Sequence, residues 1–136
     1  MASRIWLYYV AAGATFIAGV LHLTLVPNVI DRNIGTGMLF LIGGIAQIFW
    51  VIPTVRRWGK VWYYIGMTGT LVLIIIWVTT RSPDNPITGR GGSISNIGFA
   101  TELFQVIYII VIIIILIVLK NRNVNSKRDV INSVDE

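Results

Sequence analysis

Four side chains in this sequence have the chemistry to do more than pack: His22, Gln47, Arg81 and Glu102. An imidazole beside a carboxylate can share a proton, form an ion pair or supply two ligands to a metal. Glu102 is the sharpest of the four. It is the single charge within Ile97–Leu119, a run long enough as helix to cross a hydrocarbon core of about 30 Å. A carboxylate at that depth costs roughly 2.5–3.5 kcal/mol on insertion scales, so it calls for a partner. His22 is the partner expected here. Counted from the ends of their segments, His22 and Glu102 both lie ~6–8 Å below the same boundary. Arg81 follows Thr79 and Thr80, and its long side chain can reach down from the interface. The expectation is a His22–Glu102–Arg81 cluster near one membrane face, with helices one, three and four converging on it. Gln47 counts as deeper, ~18 Å from that boundary, on the face that also carries Trp50.

Such a cluster has two principal readings. As packing glue, the His–Glu pair fixes helix register and Gln47 satisfies a neighbouring carbonyl. As a site, it faces outward and takes a proton, a metal or a small ligand, the default reading of an ionisable group at membrane depth. A third arrangement leaves Glu102 facing lipid alone. One histidine and one carboxylate make an incomplete copper or zinc site unless a partner chain adds ligands. Whether the pair is ionic or neutral is open at this level.

The elements that must position these groups follow from composition. Only 12% of the 136 residues are charged and 55% are hydrophobic, against about a quarter charged in a soluble domain. Apolar segments fall at Ile5–Val26, Gly35–Thr54, Val61–Thr80 and Ile97–Leu119. The fold expected is all-α: residues 1–120 as an integral membrane four-helix bundle, and residues 121–136 as a disordered polar cytoplasmic tail. Arg4 ahead of an apolar run has the look of a signal peptide, but the run is too long and ends in no small-residue cleavage site, so it reads as a mature helix. Pro27 is expected to stop helix one, and Pro53 to sit at the end of helix two.

Lys and Arg set the orientation. With the N-terminus inside, Arg4, Arg56, Arg57, Lys60, Lys120, Arg122, Lys127 and Arg128 lie on the cytoplasmic side, and Arg32, Arg81 and Arg90 outside. That asymmetry places both termini in the cytoplasm and the chain in the cell membrane. Trp6, Tyr8, Tyr9, Trp50, Trp58, Trp62, Tyr63 and Tyr64 read as an aromatic belt at the inner headgroups. The net charge of +5 is explained by this topology rather than by nucleic acid.

Small and polar residues mark the inward faces. In helix one, Ala11, Thr15, Ala18 and His22 form one stripe; helix two offers Gly37, Gly43, Gly44 and Gln47. Helix three offers Tyr63, Gly66, Thr70 and Trp77, and helix four Gly98, Glu102 and Gln105. The GRGGS run at Gly89–Ser93 has the composition of an anion-binding nest beside Arg90, though such loops are more often simply flexible. There is no cysteine, so thiol chemistry is excluded. A single histidine excludes bis-histidine haem within one chain. No phosphate-binding loop, HExxH, nucleophile elbow or dinucleotide fingerprint appears. No cofactor is evident, and acid–base work by the His–Glu pair is all that an enzyme reading has.

The segments AGVLHL, LFLIGGIAQIFW, TRSPDNPITGR and ATELFQ, in that order, resemble a group of small four-helix membrane proteins met in actinobacteria and ammonia-oxidising archaea. The resemblance covers about Ile5 to Leu119. Members carry a histidine late in helix one, a polar group in helix two, a TR-x-P loop and a glutamate early in helix four. His22, Gln47, Arg81, Pro83 and Glu102 stand at those positions here. Some relatives accompany cupredoxin-type copper proteins. The group lends no activity, but small size, minimal loops and the absence of catalytic motifs point to an accessory or structural subunit of a membrane assembly, and the copper association of those relatives would make it copper-linked redox or monooxygenase in kind. Its partners would be the lipid bilayer and other membrane subunits or further copies of itself. The alternative is a small sensor or transporter with its site at His22 and Glu102.

Overall fold

The computed structural model describes residues 4–89 and 91–134. They form α1 (Ile5–Ile30), α2 (Ile34–Phe49), α3 (Val51–Val55), α4 (Lys60–Arg81) and α5 (Asn96–Val134). With α2 and α3 taken as one span, 4 helices are long and apolar enough to cross a membrane. The all-α reading holds, as does the expected number of long apolar helices.

Local chemistry explains the boundaries. Asn33 caps α2, its Oδ1 accepting the Thr36 N–H at 2.9 Å. Ser95 caps α5 in the same way, its Oγ accepting the Gly98 N–H at 3.0 Å. Each side chain satisfies one of the orphan donors in a helix's first turn. Pro27 does not stop α1, which runs on to Ile30. Proline's φ is compatible with helix, and so close to the end it removes only the bond back to Leu23. Pro53 has the larger effect. It lies inside the span, lacks the N–H that would reach Phe49, and the helix breaks at Trp50 into α2 and α3.

The tail also departs from expectation. α5 continues as helix through Val134, where composition reads disorder from Asn121. No Pro or Gly lies beyond Lys120, and extending an existing helix needs no new nucleus. From Lys120 to Arg128 its side chains are exposed.

α1 is the central element. It packs along α2 on one side and α5 on the other, while α4 rests on α5 and barely meets α2. The apolar core lies between α1, α4 and α5, around Leu7, Ala11, Tyr63, Tyr108, Ile112 and Ile115. Tyr63 is 1% exposed, so this ring belongs to the core and not to an interfacial belt. α1 and α2 cross at two glycines: a Cβ on Gly19 would stand 2.8 Å from the Gly44 carbonyl oxygen, and one on Gly44 would stand 2.9 Å from that of Gly19. Only glycine permits that approach. Ile, Val and Leu cover the outside of every span.

Candidate functional site

All four polar residues singled out by sequence are at least partly withdrawn from the surface, but they fall into two groups rather than one. His22, 3% exposed, and Gln47, 5% exposed, make one group. His22 Nδ1 lies 3.0 Å from Gln47 Oε1 and 3.2 Å from the Ala18 carbonyl oxygen. A carbonyl can only accept, so Nδ1 carries the proton and donates, and the lone pair of a neutral ring sits on Nε2. The Thr15 hydroxyl donates to the Gln47 carbonyl at 3.1 Å, and the His22 ring meets Phe40 edge-on at 5.3 Å between centroids. His22, Thr15 and Gln47 therefore stitch α1 to α2.

Glu102 and Arg81 make the other group, at the end of the bundle where α4 ends and α5 begins. Glu102 is 8% exposed, and among the described residues neither of its carboxylate oxygens has a hydrogen-bond partner. Arg81 reaches the same face of α5 one turn earlier, beside Gly98. The Arg81 guanidinium stacks over Trp77, 4.9 Å from the ring centre, and its Nε is buried and unbonded. A Cβ on Gly98, one turn before Glu102, would lie 3.4 Å from Trp77 Nε1 and 3.6 Å from Arg81 Nη2. Two donors thus border the same face of α5 as the carboxylate. Gln105, three residues on, is 0% exposed with both amide atoms unbonded.

The expected His22–Glu102 pair does not form. α1 and α5 do lie side by side, yet His22 bonds to Gln47, and Glu102 makes no hydrogen bond among the described residues. The direction of the Cα–Cβ bond explains it. Side chains lean toward the N-terminus of their own helix. α1 begins at the terminal end of the bundle and α5 at the loop end, so the imidazole leans one way and the carboxylate the other. The extension of α1 to Ile30 also places His22 deeper than residue counting from Val26 allowed, ~12 Å from the helix end. That depth brings it within reach of Gln47.

The loop is built around Asn85, which is 4% exposed. Its Nδ2 donates to the Ser82 carbonyl at 3.0 Å, while its Oδ1 accepts from the backbone N–H of Thr88 at 2.8 Å and of Ile87 at 3.1 Å. The Gly92 N–H donates to the Thr80 carbonyl at 3.0 Å. A Cβ on Gly91 would stand 3.0 Å from the Arg81 carbonyl oxygen, and one on Gly92 would collide with the Arg81 guanidinium. These glycines let the loop lie directly on Arg81. The nest expected beside Arg90 falls partly outside the described residues, because Arg90 does.

Sequence reasoning found Glu102, Gln105, Gly98 and Trp77 as members of inward stripes, and missed Asn85. An Asn between two prolines, Asp-Asn-Pro, is a turn signal that marks it. Among the described residues no group of three or more His, Cys, Asp and Glu side chains comes together to hold a metal ion. Comparison with models of protein families, with curated proteins and with solved structures finds no match for this chain.

Proposed function

We propose that this chain is a small multi-pass membrane protein that takes up a proton or a small hydrogen-bonding solute at Glu102. One observation carries the reading: a patch of unbonded buried polar atoms, comprising both Glu102 oxygens, the Gln105 amide, Trp77 Nε1 and Arg81 Nε. Buried polar groups in proteins are nearly always bonded to protein or water. Each one left unpaired costs about 1–3 kcal/mol, and lipid offers nothing to replace the lost water. A solute or a file of water molecules bonded there offsets that cost. The indole and guanidinium donate, the carboxylate accepts, and the Gln105 amide does both. The excess of Lys and Arg at the other end of the spans supports an outward-facing site in the cell membrane, with both termini cytoplasmic. Glu102→Gln tests this in reconstituted vesicles given an external acid step. Wild-type protein should show proton uptake and a carboxyl infrared band that responds to the step. The variant should lose both with its thermal unfolding unchanged. Equal uptake by the two proteins removes the proposal.

A second reading, a subunit of a membrane assembly, is favoured by a different feature. α2 and α4 leave between them a cleft of about 290 Å³, where Gly43, Ala46, Gly66, Gly69, Thr70 and Gln47 are interspersed with larger apolar side chains such as Leu39, Ile42 and Leu73. Gln47 Nε2 is buried there without a partner. Small residues with one unsatisfied donor suit a transmembrane helix of a partner subunit, which packs by close approach and a few hydrogen bonds. The resemblance to the small four-helix group points the same way, toward a copper-linked redox or monooxygenase assembly. Gly69→Leu, which fills open space, should release the partner from complexes isolated in mild detergent while leaving the isolated chain folded. An unchanged complex mass counts against this reading.

A further inference from the structure

The opposite end of the bundle carries a second cavity, of about 330 Å³, near the lower end of the about 300–1,000 Å³ usual for ligand pockets. Three arginines from three separate elements line it: Arg4 ahead of α1, Arg57 between α3 and α4, and Arg122 on α5. No carboxylate is among the described lining residues, and the remaining wall is largely apolar, with Ile5, Ile115 and Leu119 facing in. Three like charges around one space repel each other and are reconciled by an anion.

Arg57 adds an independent observation. Its φ is +54°, in the left-handed region where a side chain is disfavoured by about 1–2 kcal/mol. The hydrogen bonds around it identify the position. Trp58 N–H donates to the Pro53 carbonyl at 3.1 Å and Arg57 N–H to the Thr54 carbonyl at 3.3 Å, the pattern that closes a helix on a left-handed residue, usually glycine. This chain has arginine there. The strained turn holds the guanidinium at the cavity, where it also stacks over Tyr8 at 5.8 Å. A strained residue at a cavity points to a role for its side chain.

We propose that this pocket binds the phosphate of an anionic lipid headgroup, its guanidiniums bonding the phosphate oxygens and its apolar wall receiving the first part of an acyl chain. Arginine's planar fork matches phosphate oxygens two at a time, and the wall distinguishes a lipid from a free phosphate ester. The site is separate from Glu102 and does not rest on the role proposed there.

The test uses the full chain in detergent and in nanodiscs, with phosphatidylglycerol, phosphatidylcholine and free glycerol phosphate as probes. Native mass spectrometry should find one phosphatidylglycerol retained per chain in preference to phosphatidylcholine, and glycerol phosphate should not displace it. Arg57→Gly removes the charge from a turn that accepts glycine. It should weaken phosphatidylglycerol binding at least about five-fold, the effect of one basic residue at an anionic surface, while leaving the melting temperature in phosphatidylcholine unchanged or higher. Arg122→Gln should weaken binding likewise, from an element where no turn is at stake. Lys60→Gln alters a basic residue close in sequence that does not line the cavity, and should have little effect. Equal losses in Arg57→Gly and Lys60→Gln would mean a diffuse basic surface and overturn the pocket. Displacement by glycerol phosphate at matching concentration would overturn the lipid.

Discussion

Two buried polar residues with similar exposure should respond to mutation in opposite ways, because one is bonded and the other is not. Gln47 accepts from His22 across the α1–α2 seam, and interhelical bonds of this kind contribute about 0.6–2 kcal/mol in membrane proteins. Gln47→Leu should lower thermal stability in detergent by an amount in that range. Glu102 has no hydrogen bond to lose, and its replacement by leucine also removes the desolvation cost of a carboxylate at membrane depth. Glu102→Leu should therefore be neutral or stabilising, less the loss of its attraction to Arg81. If calorimetry finds Glu102→Leu the more damaging of the two, the carboxylate has a structural partner and the site reading fails.

At the level of the element, α1 and α2 depend on backbone contact between Gly19 and Gly44, whereas Gly13 has open space around it. Gly19→Ala pushes a methyl group against a carbonyl oxygen that cannot move without its helix, and should cost about 1–3 kcal/mol. Gly13→Ala adds the same methyl to the same helix with nothing to meet. It should be neutral or gain about 0.5–1 kcal/mol from helix propensity. Paired thermal melts of the two variants check this. A common effect would mean that propensity, and not the crossing, sets the stability of this seam. α4 is held differently: 17% of its apolar window is buried against 39% for α1. Of the four apolar helices it has the smallest buried share, which leaves most of its surface for lipid or for another chain.

For the molecule as a whole, the arrangement of helices places the α4–α5 connection at one end and the start of α1 at the other, with α5 running back toward it. A chain without cysteine lets single introduced thiols report on sidedness. Ser93→Cys and Asn125→Cys should react with a membrane-impermeant maleimide from opposite sides of intact vesicles, Ser93→Cys from outside. Labelling of both from one side would exclude a four-span topology. Such an outcome would also put the Glu102 patch and the arginine pocket at the same surface, instead of at opposite ends of the bundle.

The four long apolar helices, their inward stripes and the withdrawal of His22, Gln47, Arg81 and Glu102 from the surface were legible in the amino-acid sequence alone. Each follows from a property local to one helix: length, hydropathy, the spacing of small residues, or the cost of a charge in lipid. Which of those residues meet was decided only in three dimensions. Depth counted along one helix does not tell which way a side chain leans, and the opposed directions of α1 and α5 sent the imidazole toward Gln47 and the carboxylate toward the loop end of the bundle. Arg4, Arg57 and Arg122 are far apart in the chain and read from sequence as surface charge. They share one cavity because a left-handed turn after α3 brings Arg57 beside the start of α1 and the Ile115–Arg122 stretch of α5, a geometry that composition and periodicity do not encode.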